Sequence, residues 1–286
     1  MQEKPLILVT GQHGQLGSEL KLLSAAYPGY RFFFADVQEL DITDEQKVND
    51  FFKENKPAIC INAAAYTAVD KAETDREMAM KVNAEAVGIL ARNCNTLHAK
   101  FIHVSTDYVF NGNADQPYKE DHPVDPVNYY GLTKLKGEEA AISENPSSVI
   151  IRTSWVYSRF GNNFVKTMLR LMKERDSLNV INDQYGSPTY AADLAEVILK
   201  IVTSGKYTPG IYHFSNEAHI TWFDFAEAIK DIAELKCIVN PIDTAGYPTP
   251  AKRPHYSVMD KKKMQSTFGI ELQNWKDSLK TCIGLL

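Results

Sequence analysis

The sequence predicts an α/β fold, a doubly wound parallel sheet with helices on both faces and a smaller lobe made by the second half of the chain. Three observations predict it. Short, continuously apolar runs alternate with helical patterns through the first half, the pattern of strands buried on both faces. A turn carrying three glycines joins the first run to the first helix. At 286 residues, 44% hydrophobic and 23% charged, the chain is long enough to bury a large core in one domain or two closely joined ones.

The elements follow in order. Leu6 to Thr10 reads as a buried strand and Leu16 to Ala26 as a helix. Arg31 to Ala35 is a second strand. Thr43 is placed to cap a helix over Asp44 to Asn55, with Gln46 at the capping-box position. Ala58 to Asn62 is a strand. Asp75 to His98 holds one long helical pattern through Met78, Val82, Val87, Leu90 and Ala91. Phe101 to Ser105 is a strand, and a loop rich in Asn, Asp, Pro and Gly covers Asn111 to Asn128. A helix carrying Tyr130 and Lys134 follows, then a strand over Ser148 to Thr153. Such alternation implies right-handed crossovers and a parallel, Rossmann-type sheet. Beyond Thr153 the pattern is less regular. Asn163 to Lys173 and Ala191 to Val202 read as helices and Ile211 to Phe214 as a strand. Thr221, with Asp224 three positions on, can cap a helix from Trp222 to Leu235, and Tyr247 to Pro254 is a Pro-rich loop.

Bulk properties narrow the function. The formal charge of −5 argues against a nucleic-acid or anionic-membrane binder, which would show a basic face. The cysteines Cys60, Cys94, Cys237 and Cys282 form no Cys-x-x-Cys pair and no zinc spacing, so no metal is expected from them. Met1 to Pro5 leads directly into a strand pattern without a signal-peptide core, and no apolar stretch is long enough to span a bilayer. A cytoplasmic location is the expectation.

Thr10-Gly11-Gln12-His13-Gly14-Gln15-Leu16-Gly17 lies between the first strand and first helix. Small residues there permit a tight turn and a close pyrophosphate, and the helix start offers amides and a positive dipole end. Gly11, Gly14, Gln15, Leu16 and Gly17 are therefore expected to hold a dinucleotide. Asp36, after the second strand, can accept from ribose hydroxyls, which opposes a 2′-phosphate and leans toward NADH. His13 could still assist a phosphate, so NADH and NADPH both stay open. Asp41 and Ile42 are expected beside the adenine. Ala63, Ala64 and Ala65 would let backbone lie against the cofactor's middle. Residues 1–153 thus read as a dinucleotide-binding domain and 154–286 as a substrate-binding lobe, with segments at about 178–215 returning to the sheet.

Tyr130 and Lys134 stand four apart, on one helix face. An ammonium beside a phenol lowers the phenol's pKa, and a phenol so tuned can exchange a proton with an alcohol or carbonyl oxygen. Thr106 supplies a hydroxyl for that same oxygen.

In this order, Thr-Gly-x-x-Gly-x-x-Gly, Asn62-Ala63-Ala64, Thr106 and Tyr-x-x-x-Lys resemble the extended short-chain dehydrogenase/reductase superfamily over nearly the whole chain. Finer segments are similar to the dTDP-4-dehydrorhamnose reductases: Asn62 to Glu73, Ser105 to Phe110, Arg152 to Tyr157, Gly161 to Phe164 and Asp183 to Thr189. The resemblance implies an NAD(P)H-dependent oxidoreductase that reduces the 4-keto group of a dTDP-sugar. Thr106, Tyr130 and Lys134 would be catalytic and Asn83 would sit near the nicotinamide. Thr67, Val69, Asp107, Tyr108 and Trp155 would line the sugar pocket, and Arg253 would meet the diphosphate. The sequence departs from the family at His255-Tyr256, just beyond Arg253-Pro254. Some members form homodimers around Mg²⁺. Glu19 alone matches a ligand position, and a solvated helix acid is the expectation there. The resemblance also admits a sugar-nucleotide dehydratase, whose chemistry needs a Glu where Tyr108 stands, and a reductase of another nucleotide keto-sugar. A non-catalytic regulatory subunit, like the beta subunit of methionine adenosyltransferase, is a further alternative.

Overall fold

The computed structural model describes residues 4–286, so Met1, Gln2 and Glu3, on which the reading of the N-terminus partly rests, lie outside the described residues. The first strand, β1 (Leu6–Thr10), is wholly buried, as its unbroken apolar run requires. It leads through the glycine turn to α1 (Gln15–Leu23), then β2 (Arg31–Ala35), α2 (Glu45–Asn55) and β3 (Ile59–Asn62). The short α3 (Val69–Ala72) and α4 (Arg76–Met80) follow. A π-helical turn over Lys81–Glu85 then runs into α5 (Ala86–Thr96) and β4 (Lys100–Thr106). α6 (Tyr129–Glu144) and β5 (Val149–Thr153) complete the first half.

The second half opens with β6 (Val156–Tyr157), α7 (Phe164–Glu174), β7 (Ser177–Ile181), β8 (Tyr185–Gly186) and β9 (Thr189–Tyr190). It continues with α8 (Ala191–Thr203), β10 (Gly210–His213), β11 (Ile220–Thr221), α9 (Trp222–Ile232) and β12 (Ile238–Ile242). α10 (Lys262–Phe268) and α11 (Trp275–Ile283) end the chain.

Six strands form the parallel sheet in the order β10-β5-β4-β3-β1-β2. From β1 the chain passes to β2 on one side and later to β3 on the other. The crevice beyond the carboxyl ends of β1 and β3 is therefore a topological switch point, where ligands bind in open α/β sheets. One face of the sheet is covered by α1 and α8, through Leu16, Leu20, Leu194 and Ile198. The other is covered by α2, α5 and α6, through Val48, Phe52, Val87, Leu90 and Ala141. A third cluster, around Tyr157, Met168, Phe225, Trp275 and Leu279, fills the lobe.

Three local expectations are corrected. Asp44, not Thr43, caps α2, accepting from Lys47 N at 3.1 Å. Thr43 is held instead by Asp41 Oδ1, which accepts from its hydroxyl at 2.7 Å. The helix expected over Asp75 to His98 runs without a gap from Arg76 to Thr96, but it is not regular: a π turn at Lys81–Glu85 lies inside it, the kind of bulge that often marks a functional position. The return to the main sheet expected at about 178 comes later. β7 pairs with β12 in the lobe, burying alternate residues, and the chain rejoins the sheet layers with α8 and β10.

Candidate active site

A cavity of about 640 Å³ opens at the switch point. Its floor is the glycine turn. Gly11 has φ +76°, and a Cβ there would come within 2.7 Å of Ala64 N, so the turn and the Ala63–Ala65 segment fit only without a side chain. Gly17 is not on the wall; it packs under the Gly11 carbonyl, where a Cβ would overlap backbone. Gly14 begins α1 with no side-chain cap, leaving the first helical amides free to meet an anion. Gly11, Gly14, Gln15, Leu16, Asp36, Asp41, Ile42, Ala63, Ala64, Ala65 and Thr67 all line the cavity, and so do Tyr130 and Lys134. The shape, bare backbone and uncapped helix start fit a dinucleotide.

Asn83 does not itself line the cavity. It is buried on the π turn, where its Oδ1 accepts from Tyr66 N at 2.8 Å and its Nδ2 donates to Tyr66 O and Thr133 Oγ1. Its amide is consumed in fixing Tyr66, which does line the cavity. Gly137 on α6 permits that approach, because a Cβ there would overlap the Asn83 carbonyl.

Tyr130 and Lys134 project from the first turns of α6, which Asn128 caps by accepting from Gly131 N at 2.8 Å. The expectation that Lys134 lowers the Tyr130 pKa is corrected. Burial raises the phenol's pKa, the Asp107 charge adds to the rise, and the Thr106 hydroxyl pulls it back only in part. Lys134 spends its donors elsewhere, on Val104 O at 2.8 Å and beside His103 Nε2 at 3.3 Å. Burial lowers its own pKa to about 8, against the pull of Glu138. His103 is held well below its ordinary pKa by burial and then by Lys134, so the imidazole is neutral. Its Nδ1 lies 3.1 Å from Asn62 Nδ2, and Asn62 in turn accepts from Thr10 Oγ1 at 2.6 Å. A polar chain thus runs from the start of the glycine turn to Lys134.

Thr106 ends β4, where Thr106 Oγ1 donates to Asp107 Oδ1 at 2.9 Å. The carboxyl of Asp107 is buried, with Oδ2 unpartnered among the described residues, and burial pushes it up to about 6 against the pull of neighbouring hydroxyls. Tyr108 packs edge-on against Tyr130 at 5.8 Å between ring centroids. Behind β4, Glu138 receives Ser105 Oγ at 2.5 Å and a fork from Arg152, with Nη2 at 2.7 Å. Both members of this ion pair are almost fully buried, and they tie α6 to β5.

The remaining expected residues are placed as follows. Val69 begins α3. Trp155 does not line the cavity. It has φ +49°, stacks on Trp222 at 3.6 Å, and lies over Gly186, where a Cβ would come within 2.5 Å of the indole. The Arg253 guanidinium is held by Asp70. Glu19 is not a solvated acid: it is buried, accepts from Ser158 Oγ at 2.6 Å and pairs with Arg159 at 3.5 Å. Among the described residues of one chain no group of three or more His, Cys, Asp or Glu is placed to hold a metal, and Glu19 is already engaged by Ser158 and Arg159. One contact went unseen in the sequence. Gln15 in the glycine turn donates to Val156 O at 3.3 Å and accepts from Asn163 at 2.9 Å, clipping the lobe to the turn. The Gly161 to Phe164 segment was its only visible signal.

The sheet order, the switch-point cavity and the Thr106, Tyr130 and Lys134 side chains beside it define the class of extended short-chain dehydrogenase/reductase-like proteins. Residues 5–286 match the family described as RmlD substrate binding domain, and the chain belongs to it. A dTDP-4-dehydrorhamnose reductase of Aggregatibacter actinomycetemcomitans is 44% identical, over 96% of this chain and 97% of its own. The crystal structure of a dTDP-4-dehydrorhamnose reductase from Clostridium acetobutylicum is 42% identical, with a TM-score of 0.94 over 98% of this chain and 99% of that one. That of the Bacillus anthracis reductase in complex with NADP is 38% identical, with a TM-score of 0.94 over 99% and 100%. No helix among the described residues is long and apolar enough to cross a membrane.

Proposed function

We propose that this chain is an NAD(P)H-dependent oxidoreductase that reduces the 4-keto group of dTDP-4-dehydro-L-rhamnose, giving dTDP-L-rhamnose, a precursor of cell-surface polysaccharide. The observation that carries the reading is that Tyr130 and Lys134 line the same switch-point cavity as the glycine turn.

The nicotinamide supplies a hydride to the sugar C4 when bound. Tyr130 gives its proton to the oxygen as negative charge develops there. Its raised pKa suits this direction, because the phenol stays protonated at neutral pH and the forming alkoxide is far more basic than a phenolate. Thr106, whose hydroxyl donates to Asp107 Oδ1 in the free site, would turn that hydrogen to the same oxygen and disperse its charge. Lys134, positioned by Val104 O and His103, would hold the nicotinamide ribose. Thr67, Val69, Asp107 and Tyr108 border the sugar. Tyr108 stands where a dehydratase needs a glutamate, so no second acid/base partner is present for eliminating water. Arg253 meets the diphosphate.

We place the reaction in the cytoplasm, without nucleic-acid or membrane partners. The assembly proposed with it is a homodimer, on the resemblance alone; sedimentation returning only monomer would remove it.

The test is oxidation of NADH and of NADPH with enzymatically made dTDP-4-dehydro-L-rhamnose. Oxidation with at least one cofactor, yielding dTDP-L-rhamnose, is expected. None with either would end the proposal.

A further inference from the structure

Arg253 sits on a strap, residues 251–254, that crosses the start of α6. Asn128, the residue that caps α6, donates from Nδ2 to Lys252 O at 2.8 Å. Asp70, on α3, holds the rest. Its Oδ1 accepts from Ala251 N at 3.1 Å and from Arg253 Nη1 at 2.9 Å, and its Oδ2 accepts from Arg253 Nη2 at 2.9 Å. Arg253 Nη1 also donates to Ala251 O at 2.8 Å. The fork-on-fork geometry is the one by which a guanidinium grips a carboxylate or a phosphate, so the two ligands are alternatives for one face of the side chain.

The surroundings set the direction of that competition. The Arg253 side chain is 18% exposed, while that of Asp70 is 43% exposed. Water can therefore take over the carboxylate at little cost, whereas the guanidinium needs an anion beside it. The charges of both residues also reach Tyr108, whose ring lies against Tyr130. The strap also docks on Asn128, two residues before Tyr130, so the pair is tied to the end of α6 that carries the proposed acid.

We propose that Asp70 is a placeholder for the substrate's diphosphate: it docks the strap and keeps the Arg253 fork aimed, and it is exchanged for phosphate oxygens on binding. This rests on the reading of Arg253 as a diphosphate ligand. Asp70 is then a positioning residue whose negative charge opposes the ligand it prepares for. It is separate from the hydride and proton chemistry.

The test uses the full chain saturated with NADP⁺, titrated calorimetrically with dTDP and with thymidine, which lacks the diphosphate. Asp70→Asn keeps an oxygen for Ala251 N and removes the charge. Exchange predicts that it binds dTDP about threefold more tightly than wild type, the scale of an exposed ion pair, with thymidine affinity unchanged. Unchanged or weaker dTDP binding, or an equal gain for thymidine, would overturn the exchange. Arg253→Ala should lose at least about tenfold in dTDP affinity, the scale of a lost charge-assisted hydrogen bond. If it loses none, Arg253 is not a diphosphate ligand and the exchange goes with it. The reductase proposal is judged separately, by turnover of its keto-sugar.

Discussion

Burial acts on Tyr130 and Lys134 through opposite charges, yet to one end: each is pushed toward its neutral form. From spacing alone the lysine was expected to bring the phenol's pKa down, because a sequence shows that two side chains share a helix face but not what else they touch. Val104 O and His103 take the ammonium, and Asp107 adds a nearby negative charge. A protonated phenol is what reduction requires. Tyr130→Phe should cut turnover by at least about 10²-fold, the scale of a general acid, while NADPH affinity by fluorescence titration stays within about twofold. Wild-type turnover would remove Tyr130 from its role. Asp107 gives a second test. Its pKa rises from 3.8 unfolded to about 6 folded, so the folded state binds the proton more tightly. Its contribution to stability is therefore greatest below pH 3.8 and declines as pH rises through about 6. Asp107→Asn should melt above wild type at pH 8, by an amount on the order of 2 kcal/mol, and the gain should shrink toward pH 5. A pH-independent difference would contradict the assigned burial of that charge.

Among the elements, local chemistry was legible where it was self-contained. Thr221 and Asp224 form the capping box that their spacing predicted, each accepting from the other's backbone N–H. Thr221→Ala should destabilise the protein by about 1 kcal/mol in urea unfolding, the usual worth of a cap. A change within error would mean that the Thr221 hydroxyl's bond to Asn182 and the box contribute nothing. Where two capping residues were adjacent, the sequence could not choose: Thr43 is drawn to Asp41, and that leaves the cap to Asp44. The π turn at Lys81–Glu85 was also hidden. Its apolar spacing is helical, and the bulge becomes legible only when Asn83 is seen bonding to Tyr66 and Thr133.

Over the whole molecule, the first half was readable because each strand is an apolar run followed by its own helix, which implies a parallel sheet; the reversal that puts β1 between β2 and β3 is a property of the fold and not of any one run. In the second half α7, α8, β10 and α9 were readable, but the short strand pairings of the lobe were not. β7 finds β12 some way along the chain, and Pro241 lies within that late strand, where a proline argues against strand on sequence grounds. The cofactor wall was legible residue by residue, since its glycines and alanines are needed for backbone approach. Glu19 was misread as a solvated acid because its partners, Ser158 and Arg159, come from another part of the chain, and the contacts that fix Asn83 and Trp155, to Tyr66 and Trp222, were hidden for the same reason. The Arg152–Glu138 pair is likewise invisible in sequence, yet it joins α6 to β5 beneath the site. Removing one partner of a buried pair strands the other, so Glu138→Ala should cost about 3–5 kcal/mol in chemical unfolding. A loss below about 1 kcal/mol would show that Arg152 finds water or another acid instead.

In the proposed reaction hydride passes from a nicotinamide in the switch-point cavity to the sugar carbon whose oxygen Tyr130 protonates. NADH or NADPH deuterated at the transferred position of nicotinamide C4 is turned over with dTDP-4-dehydro-L-rhamnose to follow that transfer. The expected product is dTDP-L-rhamnose carrying deuterium at sugar C4 by NMR. Product labelled at another carbon, unlabelled product, or no product would contradict that transfer.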